Sequence, residues 1–108
     1  MKRFSIEVQT ADGVQLVLRR TDDPQQTETV TVGTDDLRAA VDAGVYSTPD
    51  EAREDARADV EFRTVKAAYK LLGLPEGYRL TDDEISELRA AQATAVDSLV
   101  PSVDALFV

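Results

Sequence analysis

The residues most able to do chemistry in this chain are its carboxylates, and they recur in one tripeptide. Thr-Asp-Asp stands at residues 21–23, 34–36 and 81–83. Adjacent aspartates could hold a hard cation, but a calcium loop needs acids at alternate positions, a central glycine and a distal glutamate, and no copy has that spacing. The second and third copies each open a helical pattern. There the threonine is expected to cap the helix while the aspartates sit in its positive first turn, a placement that stabilises by about 0.3–1 kcal/mol each. The first copy precedes Pro24 and predicts a turn.

Other reactive residue types are scarce. The chain has neither cysteine nor histidine, so disulfides, thiolate sites, a cysteine nucleophile and the usual histidine-based acid–base and zinc constellations are excluded. Catalysis would fall to carboxylates, tyrosine, lysine or a hard cation, as in a carboxylate- or cation-dependent hydrolase. The expectation is a non-enzymatic protein with no catalytic, cofactor or metal residues. Tyr46, Tyr69 and Tyr78 could act as acids or stacking surfaces; Tyr69 is assigned to a core stripe and the other two to helix junctions.

Charge narrows the partners. The net charge is −9, nearly all of it carried by residues 34–108, which hold eight Lys or Arg against sixteen acids. Such a surface repels phosphate backbones and anionic membranes, so direct nucleic-acid binding is not expected and basic proteins are the favoured partners. Thirteen Asp against eight Glu, and nine Arg against three Lys, match a surface suited to molar salt, where screening shortens to about 3 Å; a high-GC genome biases composition the same way. Asp50, Glu51, Glu54 and Asp55 form the candidate acidic contact surface. A DNA mimic would take this form, although Arg53 and Arg57 interrupt the row. Arg19 and Arg20, like Lys2 and Arg3, form a basic doublet on the sheet; with sheet and helices of opposite sign, head-to-tail association between copies is the expectation.

The elements that would position these groups follow from periodicity. Phe4, Ile6 and Val8 alternate with polar residues, as do Val14, Leu16 and Leu18, which predicts two half-buried strands. A three-residue loop, Ala11 to Gly13, keeps Val8 opposite Leu16 and Ile6 opposite Leu18. A third strand, Thr27 to Val32, completes a 1-2-3 antiparallel meander, with Leu18 placed on Val30 and Arg20 on Glu28. Three helices then cover one face of the sheet, making a two-layer α+β domain, β-β-β-α-α-α, over residues 1–108: sheet 1–33, helical part 34–100, apolar tail 101–108.

Thr34 is expected to cap the first helix, which Gly44 ends. Thr48, Pro49 and Glu51 open the second with a capping box, and that helix runs to Leu72. Ala58, Phe62, Val65, Tyr69 and Leu72 are read as its core stripe, and its charged first half is expected to project into solvent or onto a partner. Thr81 and Glu84 cap the third helix, with Ile85, Leu88, Ala91, Ala95 and Leu99 buried and Pro101 as its stop. The tail, including Leu106, Phe107 and Val108, either docks on its own core or enters another subunit.

The segment YKLLGLPEGYRLTDDEI resembles the opening of a J-domain through Tyr69, Leu72, Gly73 and Leu74. No His-Pro-Asp follows, the next helix is not basic, and a strand meander precedes it, so that family is rejected. The remaining expectation is a protein–protein interaction or assembly subunit, homo- or hetero-oligomeric, such as a virion component or part of another multimeric complex. The alternative is an acidic inhibitor of a basic nucleic-acid-binding enzyme. With no apolar run approaching the roughly 18 residues of a membrane span and no signal peptide, a cytoplasmic or particle-borne location is expected.

Overall fold

The computed structural model describes residues 2–10, 13–75 and 77–107. Three strands, β1 (Phe4–Gln9), β2 (Val14–Arg20) and β3 (Thr27–Val32), are followed by three helices, α1 (Thr34–Asp42), α2 (Pro49–Leu72) and α3 (Asp82–Ala105). The sheet is an antiparallel meander in the order β1-β2-β3. α2 lies across β3 and β2, and α3 across β1 and β2. The result is the two-layer α+β arrangement that the alternating strands require, since their apolar face has to be covered.

The first hairpin has the expected register, Ile6 opposite Leu18 and Val8 opposite Leu16. Ala11 and Asp12, in its loop, lie outside the described residues. Gly13 follows them with φ +95°, and a Cβ there would meet the Val32 carbonyl oxygen at 2.6 Å. No other residue fits that approach.

The second hairpin differs from expectation by two residues. Leu16, not Leu18, faces Val30, and Leu18 faces Glu28. The turn is tighter than assumed: Gln26 N–H donates to the Asp23 carbonyl and Arg20 N–H to the Gln26 carbonyl. A shift of two preserves the apolar face, so hydrophobicity alone does not choose between the registers. Consequently Arg20 pairs with Asp22 at 2.8 Å, and Glu28 with Lys70 at 3.6 Å.

Caps account for most helix boundaries. α1 is an exception at its start, because only Gly33 separates it from β3; Gly33 is the N-cap and Thr34 already lies in the first turn, without a capping bond. α1 ends as a Schellman motif, Gly44 N–H on Val41 and Val45 N–H on Ala40, and α2 ends the same way at Gly73 and Leu74. Thr48 accepts from Glu51 N–H at 3.3 Å, while the Glu51 carboxylate turns to Ser47 N–H instead of closing the box on Thr48. At α3 the Thr81–Glu84 box is complete.

The largest correction concerns α2. Its buried row is Ala52, Ala56, Val60, Thr64, Ala67, Ala68 and Leu71, whereas Phe62 and Val65, assigned to the core, are 64% and 39% exposed and Ala58 is exposed. Tyr69 and Leu72 are half-buried against the core. The charged first half therefore does not project away from the domain. Ala52, at 1% exposure, and Ala56 bring its backbone close to the layer beneath, and small residues suit that close packing better than Phe would.

α3 also runs further than expected. Pro101 lies inside it, and the helix continues to Ala105. Pro101 and Asp97 are both exposed, so the Asp97 carbonyl that loses its partner faces water. Val103 is buried and Leu106 and Phe107 pack against the core. The residues read as a tail are mostly the last turns of a core helix. Val108 lies outside the described residues.

Candidate interaction surfaces

Three places gather polar groups. The first is a clasp between the start of β1 and the start of α3. Glu84 enters it as the third residue of its helix, and Arg3 as the residue just before β1. Glu84 Oε2 accepts from Arg3 N–H at 2.9 Å and Arg3 Nε at 2.8 Å, and Oε1 accepts from Arg3 Nη2 at 2.7 Å and Thr81 N–H at 2.8 Å. The Glu84 side chain is fully buried and Arg3 is 40% exposed. The Arg3 guanidinium, helped by the Thr81 and Arg3 amides, holds the Glu84 carboxyl down at about 2 against the cost of burial. Next to it, Glu87 pairs with Lys2 at 2.9 Å and accepts from Ile6 N–H at 3.3 Å. Every acceptor site of Glu84 that faces protein is engaged, so the clasp is structural in form.

The second place is the acidic end. Asp50, Glu51, Glu54 and Asp55 surround Val45 and Tyr46 in a shallow depression where α1 turns into α2. Val45 is exposed. Burial, then a hydrogen bond to Asp55, pushes the Tyr46 hydroxyl up. Arg53 bridges Asp50 at 2.7 Å and Asp104 at 2.8 Å, and Arg57 lies 3.5 Å from Glu54 and 3.7 Å from Glu61. Two cations thus stand within the acid row.

The third place is the outer side of the α2–α3 pair, away from the sheet. A groove of about 520 Å³ runs between the helices, bounded by Arg57, Glu61 and Val65 on α2 and by Arg89, Ala93 and Asp97 on α3. Its floor includes Gln92, whose amide donates to the Thr64 hydroxyl and to the Glu61 carbonyl, a buried bridge that fixes the two helices in register. Tyr69 donates from its hydroxyl to the Tyr78 carbonyl and holds the connector against α2. Phe62, three residues before the groove residue Val65, is exposed on α2, with Lys66 Nζ 5.3 Å from its ring centre.

The predicted basic doublet does not form one patch. Arg19 is exposed on the outer sheet face and donates to the Pro24 carbonyl at 2.7 Å; Arg20 points to the opposite face and reaches Asp22 and the Leu71 carbonyl. Leu106 and Phe107 are half-buried on their own core. The four acids lie together around one depression, with Val45 and Tyr46 as neighbours that sequence reasoning did not include. Phe62 and Val65 were missed as surface residues, because their spacing is that of a buried stripe; the competing alanine row four residues apart was the available signal.

The Thr-Asp-Asp copies are helix starts and a turn. Asp35 and Asp36 lie in the first turn of α1, Asp82 and Asp83 in that of α3, and Asp23 accepts from Gln25 N–H beside Pro24. Among the described residues no cluster of three acids could hold a metal ion, and no helix is long and apolar enough to cross a membrane.

Fold and surfaces together define a small two-layer α+β domain with an acidic end and an outer helix face on which Phe62 and Val65 are exposed among charged residues. The chain matches no protein-family model, no curated protein and no solved structure.

Proposed function

We propose that this protein acts by protein–protein contact, as a non-catalytic subunit of a larger assembly such as a virion or another multimeric particle. The observation that carries this reading is the outer face of α2, where Phe62 and the groove residue Val65 remain exposed although smaller residues of the same helix are buried. An exposed phenylalanine gains by being covered, and aromatic residues are enriched at contact surfaces. The acidic end gives such a subunit a second face, suited to a basic protein partner. Its arginines speak against a phosphate mimic, since Arg53 and Arg57 neutralise part of the carboxylate row. The short acidic surface groups further suit work at high salt, where screening removes the self-repulsion of a chain carrying −9.

Sedimentation of an extract of the cells that make it, at low and at molar KCl, tests the reading. The chain is expected in a species much larger than its own 11.8 kDa, most fully at molar salt. A lone chain at both salts would sink it.

A further inference from the structure

On the reading of this protein as an assembly subunit, we infer that the outer α2–α3 face pairs with the same face of a second copy. The two copies run antiparallel about a two-fold axis at Ala93, with Arg89 of each against Asp97 of the other. Charge complementarity singles out a second copy. The groove carries Arg57 and Arg89 against Glu61 and Asp97, a balanced set on a chain whose net charge is −9. Two copies repel over most of their surface and do not repel here. Arg57 and Glu61 answer each other within the chain at 3.7 Å. Arg89 and Asp97, by contrast, make no ion pair among the described residues.

Their spacing supplies the symmetry. Arg89 and Asp97 lie four residues before and four after Ala93, about 12 Å apart along one helix face. A two-fold axis through Ala93 therefore brings each onto the other's counterpart, as an isologous contact requires. Ala90, Ala93 and Thr94 are exposed and small, so two α3 helices can approach closely at the axis. Phe62, Val65 and the half-buried Val96 then supply apolar area on either side. Two parallel-lying helices of 24 residues present a face about 36 Å long and about 20 Å wide.

Sedimentation equilibrium of the purified full chain tests this, with circular dichroism to confirm that each variant is folded. The wild type is expected to reach twice 11.8 kDa. Arg89→Asp and Asp97→Arg are each expected to weaken the dimer about tenfold. The double variant Arg89→Asp/Asp97→Arg should recover it, and an equimolar mixture of the two single variants should associate more tightly than either alone. Phe62→Ser should weaken the dimer about a hundredfold. A folded double variant no tighter than the singles overturns the pairing. So does a pure chain that stays monomeric at low and molar KCl. If that monomer still enters a large species in extract, the self-pairing fails and the assembly reading stands; a monomer in extract too removes both.

Discussion

Helix α3 is fastened at each end by an arginine from another part of the chain, and the two fastenings differ in what surrounds the carboxylate. At its start, Arg3 meets a fully buried Glu84. At its end, Arg53 meets Asp104, which is 44% exposed, and shares itself with the exposed Asp50. The distances are nearly equal, 2.7 and 2.8 Å, so contact geometry does not separate them. Water does. An ion pair in water exchanges one good solvation for another and gains little, whereas a carboxylate already stripped of water depends on its partner. The same bond is thus decisive at one end of the helix and nearly neutral at the other.

The largest effect expected from that contrast is at Glu84. Glu84→Gln keeps the shape but places an amide N–H₂ among four donors, and unfolding in urea at neutral pH should show a loss of about 3 kcal/mol. The pH dependence follows with a definite sign. The folded-state value lies at about 2, below the ordinary 4.5, so the contribution is complete above pH 4.5 and is lost as pH falls from there through 2. Because Arg3 is 40% exposed, solvent screening limits that loss to about 2 kcal/mol. Asp22, also held low by Arg20, titrates on the same limb, so the informative quantity is wild type minus variant. An acid limb unchanged by Glu84→Gln would show that the clasp does not carry it.

The two ends were unequally legible in the sequence. The start of α3 was readable as far as the Thr81–Glu84 box, because a cap is a local pattern with a fixed offset. Its tie to Arg3 was not, since nothing near Arg3 selects an acid 81 positions away. At the far end Pro101 was read as a stop, and the burial of Val103 kept the helix going; tertiary packing outweighed a local rule. The meander and its first register were legible from the alternation of Phe4, Ile6 and Val8 with Leu16 and Leu18. The second register was not, because two registers two residues apart bury the same face. On α2 two stripes competed, and the bulkier one was chosen, although close layer packing favours alanine. The acidic end was therefore visible as a cluster of neighbours in sequence, while the exposed Phe62 and Val65 were mistaken for core.

A smaller effect is expected at Pro101. It removes one helical bond, and Ser98 and Thr94 nearby donate their hydroxyls to the carbonyls four residues back, a pattern that tends to bend helices. Pro101→Ala should restore the bond to Asp97 and raise stability by about 1 kcal/mol, a rise of several degrees in Tm for a domain this size. The gain would sharpen the contrast by showing that the far end tolerates improvement. A loss instead would mean that the ring itself aims the last turns, Val103 and Leu106 included, into the core.

The smallest effect is expected at the exposed fastening. Arg53→Ala removes both ion pairs of that side chain, yet Asp50 and Asp104 remain accessible to water and need no replacement partner. The expected loss at low salt is under about 1 kcal/mol, and it should shrink further at 1 M KCl, where screening shortens to about 3 Å. Part of what remains would be packing, because the arginine stem covers apolar surface even after its charge is discounted. Arg53→Met retains that stem, so it should recover the salt-independent part and none of the rest. A loss near that of Glu84→Gln, unchanged by salt, would break the comparison. Both ends of α3 would then depend on their arginines equally, and burial of the carboxylate would not be what distinguishes them.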